Sequence, residues 1–419
     1  MSNVVLGVTG SIAAYRAADL VREFRRRGHR VRVVMTRAAQ AFVSPLTFET
    51  LSGERVTTHA LEQPEEWSVE HVGLARWGEA LVVAPATANV LAKMACGIAD
   101  DSLTTLCLAF EGPVMVAPAM NPSMWRHPAV RENCKTLEAR GVRFVAPAPG
   151  VMACGEEGVG RLAEVEGIAN AVEHHLARGR LAGKNVLVTA GATAEPLDRV
   201  RVFSNRSSGK MGYALAEGAY RRGANVALIS GPTPLVPPAG VEVVRVTSGE
   251  EMFAALKKLL RKPAAGRDKA DVLVMAAAVS DVRPKTPRRT KAKKRDLPQT
   301  VAMAPVRDIL EDTAPLRKRV WTLGFAAEES SRLEQGALGK LRKKHLDAVL
   351  ANPVSKNGVG FESDENEGIL LLASGRRVRI ERGSKAEVAG RIWDAVEEAL
   401  GRGRSAARGK REKPSSKNS

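Results

Sequence analysis

Apolar runs alternate with amphipathic stretches along most of the chain. In residues 3–36 an apolar run, a turn at Thr9-Gly10-Ser11, a helical stretch and a second apolar run predict a βαβ unit. Further apolar runs follow at residues 80–84, 114–117 and 142–145. Strands that alternate with helices predict an α/β fold with a doubly wound parallel sheet.

The same pattern starts again at residue 183. The stretch GKNVLVTAGATAEP repeats the order of apolar run and glycine-containing turn, and a helix and a second strand follow it. Later apolar runs predict strands at residues 241–246, 272–276, 321–325, 348–351 and 368–372, and a helix around 384–400. We therefore predict two Rossmann-like domains in tandem, residues 1–180 and 181–400, and a basic disordered tail at 401–419.

The positive charge of the chain is concentrated in two segments. The 419 residues carry a formal net charge of +18, of which residues 283–295 contribute eight and residues 402–417 contribute six. Charge confined to one loop and one tail is less typical of a nucleic-acid binder than a basic face. No aromatic side chain lies among these lysines and arginines to stack on bases. We predict no nucleic-acid partner.

The sequence also disfavours a membrane protein and a protein stabilised by disulfides. The chain has no run of 18 apolar residues, and its N-terminus lacks the basic region of a signal peptide. Its four cysteines, Cys96, Cys107, Cys134 and Cys154, form no CxxC pair, so the spacing predicts neither a zinc site nor a disulfide framework. The expectation is a cytoplasmic protein without a membrane partner.

Five short stretches of the first half contain candidate catalytic or binding residues. They are the turn Gly10-Ser11-Ile12, VEHVGLARW with His71, PATANVLAKMACGIADDSLTT at 85–105, PAMNPSMW with Asn121, and PGVMACGEEGVGRL at 149–162 with Cys154. The turn suits a phosphate at a helix N-terminus, although a plain tight turn explains it equally well. The last stretch has four glycines and predicts a mobile or tightly turned flap rather than a helix or strand. A lone His or Asn is usually structural, so the conjunction of these stretches carries the signal.

On these motifs, residues 3–175 resemble the flavin-containing cysteine decarboxylases. The resemblance implies a bound FMN, oxidative decarboxylation of a C-terminal-type cysteine, and a trimer with the flavin at a subunit interface. It implies that His71 is the active-site base, that Asn121 binds the substrate carboxylate beside Met124, and that Cys154 is the proton donor. The implied FMN-binding residues are Gly10, Ser11, Ile12, Thr36, Ala86, Thr87, Asn89, Ser102 and Thr105.

These residue types suit that chemistry. An imidazole, with an ordinary pKa near 6.5, can remove a thiol proton at neutral pH. A thiol on a flap that closes can then return a proton to carbon and open again to release the product.

The candidate site residues of the second half suit the binding of anions. DRVRVFSNRSSGKMG, residues 198–212, gathers hydrogen-bond donors at a glycine-hinged turn, although a helix cap alone also explains it. MAAAVSD, residues 275–281, ends a predicted strand with Asp281, which suits a nucleotide or Mg²⁺. Lys340 and Lys344 share one helix face, an unfavourable pair unless an anion such as a triphosphate lies between them.

Residues 183–400 resemble the phosphopantothenate–cysteine ligases. The order of the two halves resembles the bacterial bifunctional coenzyme A biosynthesis family, in which phosphopantothenoylcysteine decarboxylase and this ligase share one chain. The resemblance implies ligation of cysteine to 4′-phosphopantothenate through an acyl-cytidylate formed from CTP, then decarboxylation to 4′-phosphopantetheine. The implied CTP-binding residues are Ala276, Ala277, Asp281, Lys291, Arg307, Asp308, Ile309, Leu310, Phe325, Lys340 and Lys344.

The resemblance also implies catalytic roles in the second half. Arg201 and Asn205 belong to the substrate and acyl-transfer side, Asn205 and Lys291 act in catalysis, and Asp281 is the Mg²⁺ ligand. The chain departs from the family pattern at MAPVRDIL, ANPVS and Val282, which lie around the nucleotide-contacting segments. The implied assembly is a homo-oligomer of decarboxylase trimers, up to a dodecamer, with dimers of the ligase domain. An alternative hypothesis is a regulatory flavoprotein module whose second half is inactive or differently specific.

Overall fold

The computed structural model describes residues 1–58, 70–153, 155–261, 269–288, 290–291, 300–328, 333–353 and 363–409. The chain divides into two compact units, Met1–Leu176 and Ala177–Ser419, which we call the N-terminal and C-terminal units. No helix in the described ranges is both long enough and apolar enough to cross a lipid bilayer.

The N-terminal unit has a parallel sheet covered by helices and a separate hairpin. Its strands are β1 (Asn3–Val8), β2 (Arg30–Met35), β3 (Ala80–Ala86), β4 (Val114–Pro118), β5 (Arg143–Phe144), β6 (Ala148–Val151) and β7 (Glu157–Arg161). Its helices are α1 (Arg16–Arg26), α2 (Pro45–Ser52), α3 (Glu70–Trp77), α4 (Ala88–Cys96), α5 (Ser102–Ala109), α6 (Pro122–Arg126), α7 (Pro128–Ala139) and α8 (Val165–Leu176). The described sheet is parallel in the order β2-β1-β3-β4-β5. That order is flavodoxin-like, and it reverses between β1 and β3.

The central strands are apolar throughout because both faces of the sheet are covered. Val4 and Leu6 of β1 belong to one buried cluster with residues of α1 and α8. Val5 belongs to a second cluster with residues of α4 and α5 on the opposite face. Successive side chains of a strand point to opposite faces, so a continuous apolar run is required here.

The glycine-rich stretch at 149–162 is a β-hairpin, so the prediction that it is neither helix nor strand is wrong. Strands β6 and β7 pair antiparallel, and Met152 N–H donates to Glu156 O at 2.8 Å across the turn. Gly160 lies so close to the loop after β4 that a Cβ there would be 2.2 Å from Met120 O. Glycines in this stretch serve close packing of a strand as well as turning.

The C-terminal unit has a larger, mixed sheet. Its strands are β8 (Asn185–Ala190), β9 (Ala194–Pro196), β10 (Val202–Ser204), β11 (Asn225–Ser230), β12 (Glu242–Arg245), β13 (Val272–Met275), β14 (Val282–Pro284), β15 (Met303–Pro305), β16 (Trp321–Glu328), β17 (Ala348–Pro353), β18 (Glu365–Leu372) and β19 (Arg377–Ser384). Its helices are α9 (Lys210–Arg221), α10 (Gly249–Arg261), α11 (Ile309–Thr313), α12 (Leu333–Lys343) and α13 (Lys385–Gly409). The described main sheet has the order β12-β11-β8-β13-β16-β17-β18-β19, and β9-β10 and β14-β15 form two small sheets.

The first six strands of that order are parallel and follow the dinucleotide-binding order 3-2-1-4-5-6. The order reverses between β8 and β13. The last two strands are antiparallel, which corrects the prediction of a purely parallel sheet. Only residues 373–376 connect β18 to β19, and a parallel crossover needs a dozen or more. The predicted α/β class with tandem doubly wound sheets is otherwise confirmed.

The last helix is longer than the sequence predicts. Trp393 of α13 is fully buried, and its indole N–H donates to Leu215 O of α9 at 2.9 Å, which anchors the helix. The helix continues to Gly409, so residues 401–409 are helical rather than disordered. Alanine and arginine in GRGRSAARG favour helix and allow the continuation. Residues 410–419 lie outside the described ranges.

Candidate functional site

The candidate site of the N-terminal unit lies where the strand order reverses. Thr9, after β1, donates its hydroxyl to Pro85 O at 2.7 Å and accepts from Thr87 N–H at 3.1 Å. Thr87 also caps α4, since its hydroxyl accepts from Val90 N–H. These bonds join the carboxyl ends of β1 and β3, which is where open α/β sheets bind ligands.

The predicted FMN-binding residues lie at this edge of the sheet. Gly10, Ser11 and Ile12 follow β1, Thr36 follows β2, Ala86 ends β3, Thr87 and Asn89 begin α4, and Ser102 and Thr105 begin α5. Close packing brings α5 to the edge, because a Cβ at Gly7 of β1 would lie 2.4 Å from Leu103. The structure therefore brings together residues that are nearly 100 positions apart in the chain.

Two observations fit a bound flavin at this edge. Ser102 Oγ is buried and has no hydrogen-bond partner within the described part of the chain, so it is available to a ligand. Gly10 lies against the turn after β2, where a Cβ would meet Ala38 Cβ at 2.5 Å, so glycine keeps the loop tightly folded there. The hydroxyl of Thr105 is already bonded to Asp101 O at 2.8 Å.

Two of the predicted catalytic residues of the first half, His71 and Asn121, lie in different elements of the N-terminal unit. His71 lies half-buried in the first turn of α3. Asn121 caps α6 by accepting from Ser123 N–H at 2.7 Å, and it donates to Glu156 Oε2 at 2.5 Å. Glu156 belongs to the turn of the β6–β7 hairpin. Met124 is exposed on α6. Cys154 lies outside the described residues.

In the C-terminal unit, three glycines shape the point where the strand order reverses. A Cβ at Gly212, in the first turn of α9, would be 2.5 Å from Ala190 Cβ at the end of β8. A Cβ at Gly209 would be 3.2 Å from the backbone nitrogen of Gly191. In dinucleotide-binding folds, glycines allow this approach between the first strand and the next helix. Here the β9–β10 hairpin lies between Gly191 and Gly209, so no GxGxxG motif is visible in the sequence.

A cavity of about 410 Å³ opens at this point. It is lined by the predicted residues Asn205, Ala276, Ala277, Asp281, Arg307, Asp308, Ile309, Leu310, Phe325, Lys340 and Lys344. Arg201 and Lys291 do not line it. Arg201 lies in the β9–β10 hairpin and pairs with Asp198 at 2.6 Å, and Lys291 is exposed in the loop after β14. Asn205 donates to Val279 O at 3.0 Å.

Lys340 and Lys344 face the cavity, but protein groups hold both of them. Lys340 Nζ donates to Phe325 O, and Lys344 Nζ contacts the Asp308 carboxylate. Burial raises the pKa of Asp308, but the bond from Lys344, the bond from Glu311 N–H and the charges of the two lysines together outweigh burial, and the pKa lies below its ordinary value. The predicted arrangement, a triphosphate between two otherwise unpaired lysines, does not describe this wall of the cavity.

A buried arginine fixes that wall from behind. Arg317 is 4% exposed, and its guanidinium donates to Leu310 O at 3.0 Å, to His345 O at 2.9 Å and to Lys344 O. Helix α11 and the two residues that follow α12 are thereby held together. No signal in the sequence pointed to this residue.

Other lining residues were missed as site residues. Lys210, Asn352, Asn366 and Lys385 line the cavity. Asn352 Oδ1 is buried without a partner in the described chain, while its Nδ2 donates to Asn366 Oδ1 at 2.7 Å. Lys210 stands in the SSGKMG stretch, which the sequence had marked as rich in donors. Lys385 begins the last helix, 175 positions further on, and only the tertiary fold brings the two lysines to one cavity.

The donor set of the cavity fits a magnesium ion held mainly by substrate. Among the described residues, no group of three or more His, Cys, Asp or Glu is placed to hold a metal. Asp281 lines the cavity, and no ion pair to it is found in the described chain. Mg²⁺ commonly binds through one or two carboxylates, phosphates and water, so one such carboxylate suffices.

Two family models match the chain, one for each unit. Residues 1–177 match the model described as flavoprotein, and residues 181–400 match the DNA/pantothenate metabolism flavoprotein C-terminal domain. Sequence and fold thus define a flavoprotein joined to a pantothenate-metabolism domain.

Similar proteins extend over nearly the whole chain. The Coenzyme A biosynthesis bifunctional protein CoaBC of Vibrio vulnificus (strain CMCP6) is 41% identical over 95% of this chain and 98% of its own. That of Bacillus subtilis (strain 168) is 42% identical over 94% and 96%. A crystal structure of the C-terminal domain of such a protein, 34% identical, covers 52% of this chain and 96% of its own with a TM-score of 0.44.

The chain belongs to the family of coenzyme A biosynthesis bifunctional proteins. The predicted family is confirmed, and so is the prediction of a bifunctional enzyme with a decarboxylase and a ligase. The alternative of a purely regulatory flavoprotein is not supported.

Proposed function

We propose that the C-terminal unit joins cysteine to 4′-phosphopantothenate with CTP, and that the N-terminal unit decarboxylates the product to 4′-phosphopantetheine. The family and its two-part organisation support this proposal. The observation that carries it is the cavity at the reversal of strand order in the C-terminal unit, because most of the nucleotide-binding residues implied by the resemblance line it.

In the N-terminal unit, FMN would lie at the edge formed by the ends of β1 and β3. When bound, the flavin supplies a two-electron acceptor, which makes the loss of CO₂ from a cysteine carboxylate feasible. His71 removes the thiol proton, Asn121 binds the carboxylate, and Cys154 delivers a proton to carbon. The Ser102 hydroxyl, which has no hydrogen-bond partner among the described residues, and the tight turn at Gly10 support this placement.

In the C-terminal unit, the nucleotide would occupy the cavity with Mg²⁺ on Asp281. The carboxylate of phosphopantothenate attacks the α-phosphate of CTP, pyrophosphate leaves, and the cysteine amine then displaces CMP. Asn205 orients the acyl group, and Lys291 on its loop neutralises charge on the phosphates. Phe325, Asp308 and Lys344 form the wall for the nucleoside.

The proposed assembly is a homo-oligomer built on decarboxylase trimers with dimers of the ligase unit. Large apolar side chains on the surface of each unit support it. In the N-terminal unit Ile12, Tyr15 and Leu46 are at least 60% exposed. In the C-terminal unit the small β9–β10 sheet exposes Val202 and the β14–β15 sheet exposes Val282. Exposed apolar groups of this kind are common at subunit interfaces.

The full chain tests the proposal directly. The purified protein should release FMN on denaturation, form CMP only with phosphopantothenate and CTP present, and release CO₂ only after ligation or with added phosphopantothenoylcysteine. Cys154→Ser should release CO₂ without forming phosphopantetheine, while Cys96→Ser, at an exposed cysteine, should match the parent. A chain that binds no FMN would contradict the decarboxylase half, and CTP-independent ligation would contradict the ligase half.

A further inference from the structure

Two separate segments of the chain form one wall of the cavity in the C-terminal unit. Asp308, Ile309 and Leu310 lie at the start of α11, and Lys340 and Lys344 lie on α12 and directly after it. All five residues line the cavity. Asp308 and Lys344 are 36 positions apart in the chain, so the spacing of the two segments depends on contacts between them.

The main chains of these two segments are joined by Arg317, which follows the short turn after α11. Its Nη2 donates to Leu310 O at 3.0 Å and to Lys344 O, and its Nη1 donates to His345 O at 2.9 Å. Arg317 is 4% exposed and is not one of the residues that line the cavity. It therefore acts on the wall through the backbone, from behind.

The end of α12 is well suited to a guanidinium group. The last carbonyls of a helix have no partner within it, and the helix dipole favours a cation there. His345 has φ +48°, so the chain leaves the helix in a left-handed conformation, and its carbonyl accepts from Arg317. The planar fork of an arginine can donate to several carbonyls at once, which an ammonium group cannot reproduce. One arginine thus fixes the end of α12 relative to α11.

A second link between the two segments lies in the cavity wall itself. Lys344 Nζ contacts the Asp308 carboxylate, and these side chains are 19% and 36% exposed. A charged ligand in the cavity competes with this ion pair. The bonds of Arg317 lie outside the cavity, so they can hold the spacing of the segments when a ligand is bound.

We propose that Arg317 is a positioning residue of the ligase, which fixes the start of α11 and the end of α12 at the spacing that nucleotide binding requires. This inference rests on the proposed function for the identity of the nucleotide as CTP. The competing explanation is that Arg317 only stabilises the fold, because its loss would leave three buried carbonyls without their bonds. The experiments are chosen to separate the two.

Binding of CTP to the full chain, measured by calorimetry with Mg²⁺ present, is the first test. Arg317→Met should raise the Kd about tenfold, the equivalent of one well-placed hydrogen bond. Equal Kd values for the parent and Arg317→Met, or no binding of CTP by the parent, would overturn the proposal.

Arg222→Met is the matched control. Arg222 also holds two elements together, since its Nη2 donates to Gly390 O at 3.1 Å and to Asp394 of α13 at 2.6 Å, but it does not line the cavity. This variant should lower the midpoint of thermal unfolding and leave the Kd for CTP at the value of the parent. A Kd that rises as much as in Arg317→Met would mean that weaker binding follows from lower stability, and the positioning role would be wrong.

Arg317→Lys keeps the positive charge but removes the fork. It should unfold at a midpoint near that of the parent and bind CTP with a Kd between those of the parent and Arg317→Met. This variant also decides the question if Arg317→Met does not fold. A folded lysine variant with a raised Kd supports the proposal, and one with the Kd of the parent overturns it.

Steady-state ligation shows which substrate is affected. In Arg317→Met the KM for CTP should rise about tenfold, while the KM values for phosphopantothenate and cysteine stay within about twofold. Equal rises in all three would indicate a general loss of structure and overturn the proposal. If the parent binds CTP through a wall that depends on Arg317 but ligates nothing, the positioning role stands and the proposed function fails. If the parent ligates and Arg317→Met has an unchanged KM for CTP, the proposed function stands and the positioning role fails.

Discussion

A small network of charged side chains shows what a single residue contributes to the N-terminal unit. Glu23 of α1 accepts from Arg27 Nε at 2.6 Å and from Arg26 Nη2 at 2.7 Å. Arg27 also donates to Glu173 and Asn170 of α8, each at 2.8 Å. The side chains of Glu23 and Arg27 are 10% and 6% exposed, so these bonds join the two helices in a largely dry environment.

The pH dependence of stability should report this network. The bond from Arg26, opposed in part by burial, lowers the pKa of Glu23 to about 2 from 4.5. A lowered folded-state pKa means that the stabilisation is complete above pH 4.5 and is lost as the pH falls through 2. Glu23→Gln should cost about 3 kcal/mol at pH 7, which lowers the thermal midpoint by roughly 6–12 °C for a unit of this size.

Thermal unfolding of the full chain at several pH values checks this. The difference between parent and Glu23→Gln should shrink between pH 4 and pH 2, since the parent loses the same contribution there. Glu132→Gln, at an exposed position of α7, should match the parent throughout. A difference that stays constant down to pH 2 would show that the charge of Glu23 is not responsible.

At the scale of elements, the β6–β7 hairpin depends on a glycine where its second strand meets the loop after β4. Met120 N–H donates to Gly160 O at 3.0 Å, and a Cβ at Gly160 would be 2.2 Å from Met120 O. The neighbouring Asn121 bonds Glu156 in the hairpin turn. The hairpin and the segment that carries Asn121 are therefore packed as one piece.

Gly160→Val should displace the hairpin and with it Glu156, which accepts a hydrogen bond from Asn121. We expect decarboxylation of phosphopantothenoylcysteine to fall about 100-fold, because misplacement of a reacting group by about 1 Å has effects of this size. Ligation by the same protein should stay unchanged. Gly390→Ala is the control, since a Cβ at that position of α13 meets no atom within 4 Å. Equal loss of both activities would indicate general misfolding rather than a displaced hairpin.

The hairpin also shows where prediction from the sequence works and where it fails. Strands such as β3 and β13 were predictable because their apolar runs are buried on both faces. The glycines of 149–162 predict a turn from sequence alone, whereas Gly160 serves close backbone packing that only the tertiary structure reveals. Likewise, Gly191, Gly209 and Gly212 act together in space, but the inserted β9–β10 hairpin separates them in sequence.

The residues of the candidate sites also differ in whether the sequence predicts them. Thr87, directly after β3, and Asp281, in the segment after β13, were predicted as site residues because the carboxyl ends of parallel strands gather at one edge. Arg317 was not predicted, since it follows the short turn after α11 rather than the carboxyl end of a strand. Its importance comes from burial and from its bonds to Lys344 O and His345 O, 27 and 28 positions away, and no local pattern encodes either.

At the scale of the whole molecule, the two units have separate hydrophobic cores. The buried clusters of the N-terminal unit contain residues between Val4 and Val172, and those of the C-terminal unit contain residues between Leu181 and Val396. Each sheet has helices on both faces within its own unit. A unit with its own core is expected to fold by itself.

Two fragments, residues 1–176 and 177–409, should therefore fold and act separately. The first should bind FMN and decarboxylate added phosphopantothenoylcysteine, and the second should ligate cysteine with CTP, each within about threefold of the full chain, because each cavity or strand edge lies inside one unit. Circular dichroism and the two assays check this, and mixing the fragments should restore formation of phosphopantetheine from phosphopantothenate. The second fragment ends with α13 and lacks residues 410–419, so full ligation by it would also show that the basic terminal segment is dispensable. A fragment that folds but loses its activity would mean that the other unit completes its site.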